Sequence, residues 1–325
     1  MFESIIPEIE KHDSIVIFGH ANPDGDCYGS QIALRTIIKT QYPQKDVFAV
    51  GSGCPAFFAL IGEMDKVSLE TIQNSLAVVL DSNDLGRLED KRSKEAKCFI
   101  KIDHHIDTFH FNEGPAVIDP KATSTCELVY RLAKEANWKI NEIAANALYL
   151  GVFTDSARFQ YSDNYANTFA IAGDLCLLGA KPHGIVTILN TSQEKALTIR
   201  QFIYSHFVKD DGVIYVKATK KERDEIAVTT QQIVSCTGLI SHIKGYPMWF
   251  VAVENDQGGM QVEMRSEGIY EIDVQKIAAY FGGGGHKYAA GFTVKKFSED
   301  AIDVLLDICH KAIKESREQR CGKNN

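Results

Sequence analysis

The sequence predicts an α/β protein in which an amino-terminal domain, built on a parallel sheet, precedes a smaller α/β domain. Three observations indicate this fold class. Short apolar runs rich in β-branched residues alternate with helical segments over the first part of the chain, as they do in parallel α/β sheets. The length of 325 residues exceeds what one core usually serves, so two domains are expected. A second series of strands begins near residue 213.

The amino-terminal domain is expected to span residues 1–188. Its first strand is the β-branched, apolar run from Ser14 to Phe18, and the segment from Gly29 to Leu34 is typical of a helix start. The expected strands lie near 14–19, 46–50, 76–81 and 98–103, and the expected helices near 29–40, 123–137, 141–152 and 165–179. This alternation is typical of βαβ units.

The second domain is expected at residues 210–325, after a helical linker at 189–209. The linker helix is expected from Ser192 to His206, where a polar start precedes an apolar pattern. The expected strands are Val213–Val216, Trp249–Val253, Gln261–Arg265 and Gly291–Val294, with helices near 273–281 and 298–316.

Composition argues against several classes of protein. A net charge of −8 does not favour a broad surface for long duplex nucleic acid, which normally needs many Lys and Arg contacts. No apolar stretch approaches the roughly 20 residues of a spanning helix, so no membrane partner is expected. The amino terminus lacks the features of a secretory signal, and the eight Cys include no Cys-x-x-Cys pair. A cytoplasmic location is therefore expected.

Four clusters of acidic residues and histidines occur where strands are expected to end. They are His20 to Asp26, Asp81 to Asp84, Asp103 to His105, and Thr154-Asp155. Strand-end Asp residues often only cap a helix or form a turn. Four such clusters at the edge where open α/β sheets bind ligands instead favour a two-metal phosphoesterase centre. Carboxylates with a minority of imidazoles suit Mn²⁺ or a similar first-row ion.

The motifs around these clusters resemble those of the DHH phosphoesterase superfamily, and within it the short two-domain nanoRNase and phosphoadenosine-phosphate phosphatase type. The resemblance covers nearly the whole chain. It rests on GHANPDGDCYGS at 19–30, VVLDSND at 78–84, DHH at 103–105, GVFTDSARF at 151–159 and FGGGGHKYAAG at 281–291. The last motif is similar to that of the DHH-associated carboxyl-terminal domain.

The resemblance, together with the donor chemistry, implies roles for the acidic residues and histidines. One metal ion would be held by His20 and Asp24, the other by Asp26, His104 and Asp155, and Asp81 would bridge both. His105 would donate a hydrogen bond to the phosphate, and Asp103 would orient His104. The cofactor would be two Mn²⁺ ions per active site, with Mg²⁺ or Co²⁺ as possible substitutes.

Substrate-binding residues are expected in both domains. The glycines of 282–285 let backbone amides approach an anion, so Gly283, Gly284, Gly285 and His286 are candidates, although a plain turn is the alternative. Arg265 and His286 would clamp the far phosphate or the terminal base of a short substrate, and Ser266 beside Arg265 is a further candidate. Arg158 is a candidate phosphate ligand or a surface ion-pair partner. Ser124 has the spacing to Glu127 of a capping box and is only a weak phosphate candidate.

The resemblance implies a hydrolase that converts oligoribonucleotides of about two to five units to mononucleotides, with 3′-phosphoadenosine 5′-phosphate as a further substrate giving AMP. A phosphodiesterase for cyclic dinucleotides or their linear products is the alternative, and a non-catalytic, metal-bearing nucleotide sensor is a second. A homodimer is suggested by analogy. Cys27 and Tyr28 replace the small residues commoner in the family pattern, so Tyr28 is a candidate for crowding the cleft or stacking on a base.

Overall fold

The computed structural model describes residues 1–106, 112–162, 164–191 and 194–323, and the side chains through residue 320. The chain divides into two compact units, Met1–Thr191 and Ser192–Asn325. The helix expected as a linker begins at Lys195, and its apolar residues lie in a core of the second unit. Of the residues predicted for it, 192 and 193 lie outside the described part.

The first unit is built on a five-stranded sheet in the order β2-β1-β3-β4-β5, and its strands pair in parallel. The strands are β1 Ser14–Phe18, β2 Asp46–Val50, β3 Leu76–Leu80, β4 Cys98–Asp103 and β5 Ala116–Ile118. Both faces of β1 are buried, since Ile15 and Ile17 pack in one core and Val16 and Phe18 in another. This two-sided burial explains why the strands appear in the sequence as continuous apolar runs.

Helices cover the sheet of the first unit. They are α1 Ile6–Lys11, α2 Gly25–Gln41, α3 Phe58–Ile61, α4 Leu69–Gln73, α5 Thr125–Glu135, α6 Glu142–Asp155, α7 Tyr165–Leu177 and α8 Pro182–Asn190, with 3-10 turns at Pro55–Phe57, Leu85–Arg87 and Lys91–Glu95. The sequence analysis misplaced one end of two of these helices. Helix α2 starts at Gly25 rather than near residue 29, because the Asp24 carboxylate caps the amides of Asp26 and Cys27. Helix α6 continues to Asp155, so the fourth acidic cluster lies at a helix end and not at a strand end.

The second unit contains a six-stranded mixed sheet in the order β10-β11-β9-β8-β7-β6. Among the described strands of this sheet, only β7 and β8 pair in parallel. Its strands are β6 Phe207–Asp210, β7 Val213–Ala218, β8 Met248–Glu254, β9 Met260–Ser266, β10 Gly284–His286 and β11 Ala289–Val294. Its helices are α9 Lys195–His206, α10 Lys220–Glu225, α11 Thr230–Val234, α12 Val274–Tyr280 and α13 Glu299–Lys323, with 3-10 turns at Thr237–Ile240 and Gly268–Tyr270.

Alternating residues of the second sheet enter different cores. Phe250 and Met264 pack with residues of α12 and α13, whereas Trp249 and Val251 pack with residues of α9 and α11. The glycine-rich segment, expected as a loop, is in part the edge strand β10. Within the described ranges, no single helix is long and apolar enough to cross a membrane, and the bent pair α7 and α8 meets that test only jointly, by length and composition.

Candidate active site

The carboxylate of Asp81 lies at the centre of the candidate site. Asp81 follows β3 directly, and His20 and His104 follow the two strands that flank β3 in the sheet. Because the carboxyl ends of parallel strands meet at one edge, these side chains converge. His20 Nε2 lies 3.5 Å from Asp81 Oδ2, and His104 Nε2 and His105 Nδ1 each lie 3.6 Å from Asp81 Oδ1. The hydroxyl of Thr125 donates to Asp81 Oδ1 at 3.0 Å.

The buried carboxylate of Asp26 is held by the amino terminus of α5. Its Oδ2 accepts the amide of Thr125 at 2.7 Å, and its Oδ1 accepts the amide of Cys126 at 2.8 Å. A helix amino terminus favours negative charge, so this arrangement suits an ionised carboxylate. The same bonds occupy two amides at the helix start beside Ser124, the weak phosphate candidate. The Ser124 hydroxyl itself accepts the amide of Glu127, as expected for a helix cap.

A second group of ligand atoms combines Asp26, His104 and Asp155. His104 Nε2 lies 3.2 Å from Asp155 Oδ2 and 3.9 Å from Asp26 Oδ2. Its Nδ1 donates to the carbonyl of Ala122 at 3.3 Å, which leaves Nε2 facing the carboxylates. Helix α6 approaches closely because residue 151 is glycine, and a Cβ at Gly151 would lie 2.6 Å from Asp26 Oδ1.

The prediction that Asp103 orients His104 was wrong, because its hydrogen bonds go to His105. Asp103 Oδ1 accepts from His105 Nδ1 at 2.8 Å and from the His105 amide at 3.1 Å. The other oxygen, Oδ2, lies 3.3 Å from the ammonium of Lys101 in a fully buried ion pair. Lys101 was missed in the sequence, although a lysine within the apolar run of β4 is itself an unusual feature.

The ligand set around His20 differs in part from the prediction. His20 Nδ1 donates to the carbonyl of Ala21, and Nε2 faces Asp81. The Asp24 carboxylate, 59% exposed, lies 4.0 Å from His20 Nε2 while it caps α2. Cys27, which was not predicted as a ligand, lies within 4.8 Å of His20 and Asp81. Burial raises the pKa of the Cys27 thiol well above its ordinary value, so the thiolate form that binds metals is disfavoured.

The electrostatics of this cluster fit a site for cations. Burial, together with the charges of Asp81 and Asp155, raises the pKa of Asp26 well above its ordinary value. Burial also raises the pKa of Asp155 to about 6. Burial opposes ionisation of Asp81, but the hydrogen bond from His20 and the charges of His104 and His105 outweigh it and lower its pKa. The carboxylates of Asp26, Asp81 and Asp155 therefore lie together with too little positive charge around them to balance their own. Bound cations would supply the missing positive charge.

The histidines respond to the same field. The hydrogen bond with Asp81 raises the pKa of His20 to about 9, and the hydrogen bond with Asp103 raises the pKa of His105.

Within the described residues, three groups could hold a metal ion, namely His20-Cys27-Asp81, Asp81-His104-His105 and Asp26-His104-Asp155. Asp81 and His104 each belong to two groups, so ions bound there would lie close together.

Arg158 lies in a turn of unusual backbone conformation directly after α6. Ala157, Arg158 and Phe159 have φ values of 46°, 63° and 63°. This left-handed conformation costs roughly 1–2 kcal/mol per non-glycine residue. The turn is held by bonds to buried Ser156, whose hydroxyl accepts the Phe159 amide and whose carbonyl accepts the amide of Gln160. The Arg158 side chain is exposed, and it lines a cavity of about 310 Å³ beside Phe153.

The predicted residues of the second unit converge only in part. Arg265 and His286 both pair in register with Ala289, so they lie on one face of the sheet. Arg265 Nη1 donates to Glu263 Oε2 at 2.6 Å. Ser266 is buried, and its hydroxyl donates to the carbonyl of Ile272 at 2.7 Å, so the structure gives it a structural role and not the predicted contact with substrate.

The glycines at 283–285, in and just before β10, differ in how much space surrounds them. A Cβ at Gly283 would overlap the carbonyl of Gly291, and a Cβ at Gly285 would lie 2.5 Å from the carbonyl of Ala289. These two glycines are therefore needed for close pairing of the strands. Gly284 has open space on its Cβ side and is exposed. Tyr28, a candidate for the cleft, is instead fully buried and donates its hydroxyl hydrogen to the carbonyl of Gly62.

Comparison with known proteins identifies relatives over nearly the whole length of the chain. Residues 14–152 match the DHH family, N-terminal domain, and residues 210–315 match the DHHA1 domain. The chain is 34% identical to "Bifunctional oligoribonuclease and PAP phosphatase NrnA" of Mycoplasma pneumoniae, over 95% of each chain. It is 29% identical to the protein of the same name from Bacillus subtilis, over 95% of this chain and 97% of that one.

Two further similarities are more distant. "Cyclic-di-AMP phosphodiesterase GdpP" of Geobacillus thermodenitrificans is 26% identical over 86% of this chain and 44% of its own length. The crystal structure of an exopolyphosphatase-related protein from Bacteroides fragilis superposes with a TM-score of 0.82 at 23% identity, over 97% of this chain and 95% of that one. That structural similarity supports the fold.

Proposed function

Because the chain belongs to the DHH family, we propose that it is a two-metal phosphoesterase that hydrolyses short oligoribonucleotides of about two to five nucleotides to mononucleotides. We propose 3′-phosphoadenosine 5′-phosphate as a second substrate, hydrolysed to AMP. The names of relatives that align over 95% of this chain support both activities. The observation that carries the proposal is the convergence of His20, His104 and His105 on the Asp81 carboxylate.

We propose that the metal ions are Mn²⁺, with Mg²⁺ or Co²⁺ as substitutes. One ion would be held by His20, Asp24 and Asp81, and the other by Asp81 together with Asp26, His104 and Asp155. A mixture of carboxylate and imidazole donors, with a protonated thiol nearby, supports a first-row ion of this kind. When bound, such a pair supplies positive charge to the phosphoryl oxygens and lowers the pKa of the attacking water.

His105 is the proposed hydrogen-bond donor to the phosphoryl group. Asp103 fixes its ring through Nδ1 and raises its pKa, which favours the protonated imidazolium. Lys101 neutralises the second oxygen of Asp103, so the carboxylate stays a hydrogen-bond acceptor for His105. The chain thereby places a donor beside Asp81, where negative charge on the phosphate would develop.

The second unit is proposed to bind nucleotide through Arg265, His286 and the exposed strand β10. Arg265 and His286 share one face of the sheet, and the open Gly284 exposes backbone beside them. A guanidinium and bare backbone amides are suited to phosphate. We also propose that the protein forms a homodimer, on the basis of the family resemblance alone. Analytical ultracentrifugation would test this.

Hydrolysis of a cyclic dinucleotide is the second candidate, because the GdpP relative carries that activity in its name. It ranks lower, since that relative matches this chain over less than half its own length. A sensor that binds nucleotide without turnover is the remaining alternative. The proposed ligands of both ions are present in the site, which counts against it.

A parallel turnover assay with Mn²⁺ separates these functions. The substrates are an RNA dinucleotide, a long oligoribonucleotide, a cyclic dinucleotide, 3′-phosphoadenosine 5′-phosphate and pyrophosphate. We expect rapid hydrolysis of the dinucleotide and of 3′-phosphoadenosine 5′-phosphate, with little cleavage of the long RNA. Preference for the cyclic dinucleotide would move the assignment to the second candidate, and binding without any turnover would favour the sensor.

A further inference from the structure

Thr125 forms hydrogen bonds with two of the buried carboxylates of the candidate site. Its amide donates to Asp26 Oδ2 at 2.7 Å, and its hydroxyl donates to Asp81 Oδ1 at 3.0 Å. Thr125 is completely buried, and the two aspartates are almost completely buried as well. A buried polar group that loses its partner is costly, so both bonds restrict where the carboxylates can lie.

The position of Thr125 in its helix leaves the hydroxyl available for a partner elsewhere. Inside helices, the hydroxyls of Thr36, Thr40 and Thr154 each donate to the carbonyl four residues earlier, at 2.7, 2.7 and 2.9 Å. Thr125 is the first residue of α5, so the residue four positions earlier lies outside that helix. Its hydroxyl is directed instead to the carboxylate of Asp81.

Asp81 requires such support because its own backbone and side chain do not fix the carboxylate. Its φ of 56° lies in the left-handed region, which a residue with a side chain adopts only where its surroundings impose it. The torsion that turns an aspartate carboxylate is broad and has no sharp minimum. The bond from Thr125 to Oδ1 selects one orientation, in which Oδ2 lies 3.5 Å from His20 Nε2.

The two oxygen atoms that Thr125 contacts are also the ones that face His104. His104 Nε2 lies 3.6 Å from Asp81 Oδ1 and 3.9 Å from Asp26 Oδ2. These carboxylates repel each other, since burial and then the charge of Asp81 raise the pKa of Asp26. Thr125 therefore holds together two oxygens that would otherwise tend to separate.

We propose that Thr125 is a positioning residue, which holds the Asp26 and Asp81 carboxylates in the arrangement that binds two metal ions. This role rests on the proposed two-metal function, and Thr125 acts through the metal ligands without being one. Its hydroxyl is the part that substitution can remove, because the backbone amide that holds Asp26 remains in any variant at this position. Loss of a group that orients metal ligands typically lowers metal affinity or activity by about 10–100-fold.

The test begins with Thr125→Val in the full-length protein, which removes the hydroxyl and keeps the branched shape of the side chain. Isothermal titration calorimetry of the metal-free protein with Mn²⁺ should show that one of two ions binds about tenfold or more weakly. The kcat for an RNA dinucleotide should fall by about 10–100-fold, with KM nearly unchanged. Thr125→Ser keeps the hydroxyl and should restore both the Mn²⁺ affinity and kcat.

Thr123→Val is the matched control, two residues earlier in the chain. The Thr123 hydroxyl bonds with those of Ser162 and Thr168, at 3.0 and 2.8 Å. Its removal should lower the melting temperature but leave the Mn²⁺ affinity and kcat at their wild-type values. An equal loss of Mn²⁺ affinity in Thr123→Val would show a general effect of disturbing the start of α5, and would overturn the proposed role of Thr125.

The role is also refuted if Thr125→Val binds both ions with wild-type affinity and keeps the wild-type kcat. If the valine variant does not fold, Thr125→Ala provides the same comparison. A serine variant as impaired as the valine variant would assign the effect to the lost methyl group and would reject the role of the hydroxyl. Weakened Mn²⁺ binding by Thr125→Val, where the wild-type protein hydrolyses no oligoribonucleotide, would retain the positioning role and reject the proposed function.

Discussion

At the scale of the residue, the Asp81 carboxylate joins the two proposed metal positions. Its Oδ1 faces His104 and His105, while its Oδ2 faces His20. Asp81→Asn keeps the size of the side chain and an acceptor for the Thr125 hydroxyl, but removes the charge. We expect turnover of an RNA dinucleotide to fall by more than about 100-fold, because the charge that the two proposed cations would share is lost.

The control for this substitution is Asp84→Asn, three residues further along. Asp84 Oδ1 accepts the amide of Gly86 and caps a short 3-10 turn, a role that an asparagine can also fill. Asp84→Asn should retain most activity. An Asp81→Asn protein that keeps more than about one percent of the rate, with its fold intact by circular dichroism, would contradict the bridging role.

Lys101 and Asp103 form a buried charge pair that connects to His105. The ammonium of Lys101 lies 3.3 Å from Asp103 Oδ2, and both side chains are buried. Lys101→Met leaves a buried carboxylate without this partner, so we expect a loss of about 3–5 kcal/mol in the free energy of unfolding. Urea titration measures the loss. The matched double variant, Lys101→Met with Asp103→Asn, should recover part of it, and a loss below about 1 kcal/mol in the single variant would rule out an important pair.

At the scale of the element, the sequence predicted the buried strands best. The strands β1 to β4 are mainly apolar because both faces of the sheet are covered, and the residues that follow β1, β3 and β4 include His20, Asp81 and His104 as expected. Strand β10 could not be predicted, because Gly284-Gly285-His286 has no alternating apolar pattern and exists through pairing with β11.

Residue roles that depend on local geometry also could not be predicted from the sequence. The spacing Asp103-His104-His105 does not say which imidazole the carboxylate contacts, and the structure selects His105. Ser266 follows Arg265 on a strand, where successive side chains point to opposite faces, so only one of the two lies on the face shared with His286. That alternation was readable in the sequence, and it separates Ser266 from the substrate candidates.

The approach of α6 to α5 depends on a missing side chain at Gly151. A Cβ there would overlap Cys126 Sγ and lie 2.6 Å from Asp26 Oδ1. We expect Gly151→Ala to cost about 1–3 kcal/mol through overpacking and to weaken metal binding, because it displaces Asp26. Thermal unfolding and a metal titration provide the two measurements.

Gly173→Ala on α7 is the control for that substitution. It adds the same methyl group where no atom lies within 4 Å, so it should be neutral or stabilise by about 0.4–1 kcal/mol. Equal effects of the two substitutions would show that helix propensity, and not the contact with Asp26, governs position 151.

At the scale of the whole molecule, the side-chain groups that could hold metal ions lie in the unit Met1–Thr191, while the predicted nucleotide-binding residues Arg265 and His286 belong to the unit Ser192–Asn325. Ions that bind only the folded first unit stabilise it by mass action, by about 2.7 kcal/mol at a concentration 100 times Kd. We expect Mn²⁺ to increase hydrogen-exchange protection of α5 and α6, with little direct effect on the second sheet.

The stabilisation by Mn²⁺ should grow as the pH rises from about 6 to about 9. In the metal-free fold the pKa of Asp155 is about 6 and that of His20 about 9, both above their ordinary values. Raised pKa values mean that proton binding stabilises the metal-free fold at low pH, and that this contribution is lost as the pH passes through 6 and then 9. Metal ions take the place of those protons on the ligands, so competition from protons weakens as the pH rises.

Melting curves with and without Mn²⁺ across this range measure the difference, and Asp81→Asn provides the control that should show little gain. A gain that stays constant from pH 6 to pH 9 would mean that Asp155 and His20 do not release protons when the metal binds.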